Sequence, residues 1–432
     1  MSEAGEPRKI GPMLATGLVA GNMIGSGVFL LPATLGAIGG VSLIGWLAST
    51  AAAFATAAVF ANLGRISASL DGLVGYAGEG LGRFFGFSTA VIYWMAAWVG
   101  VVAMGVAAAG HFVVFAPGLA HPLPLALIAM ATIWLFTLLN LVGARAVTRF
   151  SSLSLVAGLA PILGVAILGW IWFDPKVFAA SWNVSGHSAF DAVKVSMIST
   201  FWAYTGFESA AVASAVVRDP QRNVPISTYA GMGLAAAVYI AASTVVMGLA
   251  PARELAASTA PFALAVAKAL GPVAASLVAA CALVKTCGTL NGWILVVAET
   301  ARAGANQHLF PGRFEADADG RPPARIMIGM AAVMSAAALA SISPTLGQQF
   351  QILINVSTVW AIAPYMICCA ALWRLANALP SAARAAARAI GAVAFGFNLW
   401  LLSTGDAITL GLTAALVVLT LGLWLIAPSR RL

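Results

Sequence analysis

Long apolar stretches alternate along the whole chain with short gaps rich in charge, proline and glycine. A helix needs roughly 20 mostly apolar residues to cross a bilayer, and the stretches meet that length repeatedly. Cutting at the gaps predicts twelve spans, near 12–33, 40–63, 85–115, 123–143, 149–172, 192–214, 226–249, 270–300, 325–343, 349–373, 386–403 and 407–427. The expected fold class is therefore an all-α membrane protein. The polar run Met1 to Pro12 leads into no short apolar segment with a small-residue cleavage site, so the first span is expected to stay in the mature chain.

Two spans carry glycine where a uniform helix would not. The first contains Gly21-Asn22-Met23-Ile24-Gly25-Ser26-Gly27, and the sixth contains Trp202-Ala203-Tyr204-Thr205-Gly206-Phe207-Glu208-Ser209. Interior glycine costs a helix about 1 kcal/mol relative to alanine and frees the backbone to unwind. Unwound backbone at membrane depth is tolerated only where it is buried in protein or lines a watery cavity. The two interruptions lie five spans apart, the spacing of a five-plus-five inverted repeat with broken helices 1 and 6 and two additional C-terminal helices. The expected organisation is a tail at 1–11, a first five-helix repeat at 12–172, a second at 192–373, two further spans at 386–427 and a tail at 428–432. The alternative for these glycines is close helix packing through small residues.

Composition agrees with lipid as the solvent, since 61% of residues are hydrophobic and 8% charged, against about a quarter charged in soluble domains. The net charge of +8 is spread between spans, so it reads as a topology signal and not a nucleic-acid surface. Seventeen of the 22 basic residues fall on one side of this plan; Lys176, Lys194, Arg253 and Lys268 fall opposite, and Lys285 lies mid-span. Both termini are expected in the cytoplasm of a cell whose inner membrane holds the protein as a multi-pass carrier. Cys281, Cys287, Cys368 and Cys369 lie in apolar segments and read as reduced packing residues.

The breaks offer a zwitterion complementary partners. Amide groups at the start of the second half of span 1 attract a carboxylate, with hydrogen bonds from Asn22 and Ser26 between Gly25 and Gly27 and with Ile24 packing. Carbonyls released around Trp202, Ala203 and Thr205 suit an ammonium. Glu208 is a carboxylate deep in an apolar span, expected to act as a gate or proton-linked residue or, alternatively, to anchor a structural hydrogen bond. Lys285 is a mid-span cation on one helix face with Thr289 and Trp293, either functional or paired to carbonyls for structure. Trp202 and Trp293 are candidate cavity aromatics, and Tyr93 and Tyr365 candidate gate hydroxyls. Glu299 and Arg302 read as a helix-end ion pair.

The segments GNMIGSGVFLLPA in span 1, WAYTGFESA in span 6, RDPQRNVP at Arg218 to Pro225 and NGW ending at Trp293 resemble the amino acid/polyamine/organocation (APC) transporter superfamily, near its arginine/agmatine and lysine/cadaverine antiporter branch. The resemblance covers nearly the entire chain. It implies alternating access, sodium-independent exchange or proton-linked transport, and dimers formed through the last two helices. It also implies that Ser26 and the backbone around Ile24 hold a carboxylate, and that Trp202, Trp293, Glu208, Tyr93, Tyr365 and Ser357 contact substrate or form gates. Three positions depart from that branch. Val101 stands where an asparagine binds guanidinium, Val74 where a tyrosine is linked to pH sensing, and Lys285 where a small residue faces the sodium position of sodium-driven relatives. The ammonium of Lys285 is then expected to substitute for that ion and to favour a neutral amino acid over a dication.

A membrane enzyme is the rival class. The chain has no H-E-x-x-H, and His111, His121, His187 and His308 are scattered without metal-ligand spacing. A channel is a third class, disfavoured because paired broken helices suit two states of a carrier better than a continuous pore. No cofactor, metal or nucleic acid is expected; the expected partners are an amino acid or amine substrate and membrane lipid.

Overall fold

The computed structural model describes residues 11–25, 27–66, 72–142, 144–208, 217–306, 309–310 and 324–426. The expected tail at 428–432 and all but the last residue of the tail at 1–11 lie outside the described residues. The chain folds as helices: α1 (Pro12–Met23), α2 (Gly27–Gly36), α3 (Ser42–Ile66), α4 (Gly72–Leu81), α5 (Arg83–Phe112), α6 (Pro122–Val142), α7 (Ala144–Leu168), α8 (Pro175–Ala180), α9 (Ala189–Trp202), α10 (Pro220–Leu249), α11 (Ala252–Ala257), α12 (Pro261–Asn306), α13 (Ala324–Ala340), α14 (Leu346–Leu375), α15 (Ser381–Ser403) and α16 (Ala407–Ile426).

Among the described residues ten helical segments are long and apolar enough to cross a membrane. The protein is a multi-pass membrane protein. Two of the twelve predicted spans are shorter than expected. The sixth has its helix end at Trp202, after which residues 203–208 turn, and 209–216 lie outside the described residues. The ninth, α13, is 17 residues long. The eighth is longer than predicted, because α12 starts at Pro261 and kinks at Gly271, where φ is 82° and Pro272 follows. Only glycine adopts that φ readily, and proline removes a helical hydrogen bond beside it.

Helix starts follow local chemistry. Asp174, Ser188 and Thr345 each accept a backbone N–H at the head of α8, α9 and α14, which satisfies a donor the helix itself leaves unpaired. At the centre, α5 is packed most extensively by α14 and α12, while α1 rests on α10 and α3 on α10 and α9. Every residue of α2 is buried, as expected of a helix apolar on all sides. In contrast, α16 turns most of its apolar surface outward, the exposure that lipid covers.

Candidate functional site

The first break is real at the backbone level. α1 stops at Met23, Ile24 leaves helical geometry with ψ 79°, and α2 begins at Gly27. Ser26 lies outside the described residues. The Ile24 N–H still bonds to Ala20 O at 2.7 Å, and the Gly25 N–H folds back on Met23 O at 2.6 Å. The first-turn amides of α2, beginning at Gly27, are the donors that a helix start leaves for another acceptor.

The second break meets the first. Gly206 sits at φ 110°, and a Cβ built there would lie 3.4 Å from the backbone and Cβ of Asn22. A Cβ on Gly27 would lie 2.8 Å from the Trp202 ring, and one on Gly25 would lie 2.9 Å from Thr289 Cγ2. These glycines therefore serve close approach as well as unwinding, so both readings of the motif describe the same segment.

Two narrow chambers border the second break, of about 20 and 10 Å³, and the smaller also touches the first. That is on the scale of a single water, which needs about 10–15 Å³. Trp202, Trp293, Thr205 and Met104 border both chambers. Asn22, Gly25, Gly27, Ala203 and Thr289 border one, and Tyr93, Ala96, Gly100, Ser357 and Tyr365 the other. The structure thus brings the predicted residues of spans 1, 3, 6, 8 and 10 around one pair of indoles. Ile24 is buried and borders neither chamber. Val101 is also buried away from them, and Val74 packs in an apolar cluster with Phe87, Val91 and Leu309.

The carbonyls expected to be free at the second break are largely engaged. Trp202 O accepts from the Thr205 N–H at 3.1 Å and the Thr205 hydroxyl at 2.7 Å. Ala203 O accepts from the Tyr239 hydroxyl at 3.0 Å. For Trp202 the cause is local, since a chain leaving a helix closes tight turns on its last carbonyls; for Ala203 it is the hydroxyl of a packed neighbouring helix.

Glu208 is 3% exposed. Its Oε1 accepts from the Tyr93 hydroxyl at 2.8 Å and the Tyr365 hydroxyl at 3.4 Å, and its Oε2 accepts from the Gly206 N–H at 3.1 Å. Tyr93 and Tyr365 border a chamber while the carboxylate stands behind them. This buried carboxylate thus links the second break to α5 and α14.

Lys285 is likewise 3% exposed. Its Nζ donates to Gly21 O at 3.3 Å and to the Thr289 hydroxyl at 3.1 Å. Gly21 lies in the last turn of α1, where unpaired carbonyls and the negative end of the helix dipole favour a cation. The stem passes over Gly158 of α7, where any Cβ would collide with it. Lys285 borders neither chamber; Thr289, one turn along, stands between its amine and the cavity. Its i+8 neighbour Trp293 reaches the chambers, so one helix face serves the cavity at one end and α1 at the other. The ion pairs found among the described residues, Lys194 with Asp191, Lys268 with Glu254 and Arg302 with Glu299, include neither Lys285 nor Glu208.

With this geometry established, relatives decide the family. The profile of the amino acid permease family matches residues 10–432. The chain belongs to that family. It is a membrane transporter and not an enzyme. The cadaverine/lysine antiporter of Escherichia coli strain K12 is 37% identical over 372 residues, covering 85% of this chain and 84% of the relative. The putrescine transporter PotE of the same strain is 34% identical over 389 residues, covering 89% and 88%. PotE of Haemophilus influenzae is 33% identical over 364 residues, covering 84% of each chain.

One residue of this permease that sequence reading missed is Tyr239. It is fully buried on α10, and its hydroxyl donates to Met23 O and to Ala203 O. These are the carbonyls at the two helix ends that form the breaks. A mid-span tyrosine needing a partner was a legible signal, the same one that singled out Tyr93 and Tyr365. Replacing Tyr239 with Phe removes the one hydroxyl proton that these two carbonyls share, at a cost of about 1–3 kcal/mol. The expected outcome is a lower melting temperature together with slower solute exchange, checked by thermal unfolding and by counterflow in proteoliposomes.

Proposed function

We propose that this permease moves amino acids, in exchange for the related amine, across the bacterial inner membrane by alternating access, without sodium, as an exchanger or a proton-coupled carrier. Both termini face the cytoplasm in this reading, and the twelve helices form two inverted five-helix repeats plus two. The observation that carries it is the meeting of two helix breaks at Trp202 and Trp293. A zwitterion's carboxylate would take the first-turn amides of α2 with Asn22, and its ammonium the remaining acceptor capacity of the second break, while the indoles cover it. Glu208, held by Tyr93 and Tyr365, is the gate or proton-linked group, and Ser357 lines the side-chain end. Relatives named for cadaverine, lysine and putrescine support a basic amino acid and its decarboxylated amine. Labelled lysine taken up faster into vesicles preloaded with cadaverine than into empty ones is the expected result; equal uptake counts against this substrate pair.

A second reading, transport of a neutral amino acid, is favoured by Lys285. An ammonium joining α1 to α12 repels a dication. In this reading Lys285 does the work of a bound sodium ion by tying Gly21 O to Thr289. Lys285→Ala and Lys285→Met are then expected to lower sodium-free transport about tenfold or more, the effect of losing a hydrogen-bonded charge. Wild-type rates in both variants eliminate that role.

A further inference from the structure

Away from the two chambers, the kink of α12 opens a different space. Beside the kink at Gly271 lies a cavity of about 330 Å³, walled by Gly164 and Leu168 of α7, Trp172 beyond it, and Val266, Leu277 and Cys281 of α12. Among the described residues, the Cys281 thiol and the Trp172 indole N–H are the only polar side-chain groups on its walls. Water therefore finds almost no partners in it, and apolar cavities of this kind stay dry. Leu168, Trp172, Leu270 and Leu277 are exposed along its edge, so it opens onto the surface of a helix pair that faces lipid.

We infer that this groove is a lipid site, holding one acyl chain of a bilayer phospholipid with its phosphate at the rim where α7 ends. Three features favour this occupant over a second copy of the chain. The hollow is apolar and about 330 Å³ in volume, where a helix-helix interface presents a packed stripe of small residues. Trp172, on its wall, is exposed, as tryptophans are at the headgroup level. The same connections carry three exposed cations, Lys176 on α8, Arg253 on α11 and Lys268 on α12, against two exposed carboxylates, Asp174 at the head of α8 and Glu254, which pairs with Lys268 at 2.8 Å. The net single positive charge complements a phosphate. The occupant would brace the segment Pro261–Leu270, which together with α11 forms the connection packed against α2 at Gly36.

The geometry supplies its own test. A Cβ added at Gly164 meets nothing within 4 Å, so a Gly164→Leu side chain starts into open space and its branch occupies the groove. The full-length protein, purified and incubated with phosphatidylglycerol, is examined by native mass spectrometry. In parallel, its tryptophan fluorescence is measured in vesicles of phosphatidylglycerol brominated on the acyl chain, with Trp172→Phe identifying the Trp172 contribution. The wild type is expected to retain one phosphatidylglycerol and to show quenching of Trp172. Gly164→Leu is expected to lower the retained lipid at least tenfold and to lose that part of the quenching at an unchanged melting temperature. Equal lipid retention by the two proteins overturns the inference. So does a change from dimer to monomer in Gly164→Leu without loss of lipid, which would make the groove an interface between copies.

Discussion

Glu208→Gln is expected to lower solute counterflow at least tenfold while the protein remains folded. The carboxylate accepts from two tyrosine hydroxyls and one backbone N–H, and hydrogen bonds to a charged group are worth about 1.5–3 kcal/mol each. A glutamine removes the charge and offers its single oxygen to one side only, the tyrosines or the Gly206 N–H, turning an NH2 to the other. Tyr93→Phe removes a single donor and is expected to have the smaller effect. Initial rates in proteoliposomes with melting temperatures beside them separate the cases. A Glu208→Gln protein that transports at the wild-type rate leaves the carboxylate a structural acceptor only.

Gly27→Ala is expected to be the most damaging small substitution in the first break. Its Cβ would fall 2.8 Å from the Trp202 ring, a separation that forces the indole out of its place against Phe350, where the two rings meet edge to face at 5.5 Å. Overpacking of this kind costs about 1–3 kcal/mol, so exchange is expected to fall about ten- to a hundredfold. Because the clash is with the ring's far edge, Trp202→Phe made in the same protein is expected to restore part of the rate. Failure of the double variant to exceed Gly27→Ala shows that the glycine serves some other need.

The all-helical membrane class was legible because lipid imposes a coarse rule, and apolar length alone points to the ten helices long enough to cross it among the described residues. The breaks were legible for a local reason, the glycines at Gly25, Gly27 and Gly206. What those glycines face was not legible, because Trp202, Thr289 and Asn22 are remote in sequence from at least one of their partners. The same limit explains the carbonyls of Trp202 and Ala203. Their capture by Thr205 and Tyr239 depends on turn geometry and on a helix some 35 residues away. Lys285 could be read as a cation needing a partner, and a structural pairing to carbonyls was one stated alternative. That the carbonyl belongs to Gly21, and that Gly158 makes room for the stem, required coordinates.

The most direct measurement is sodium-free counterflow of the twenty labelled amino acids and their decarboxylated amines, at two pH values, into vesicles preloaded with the same unlabelled solute or left empty. If the paired helix breaks bind and carry such a solute, at least one will enter preloaded vesicles faster, saturably, and much more slowly with Gly27→Ala. If no solute is accelerated by preloading, while a related antiporter reconstituted alongside responds normally, the breaks do not form an amino acid or amine exchange site.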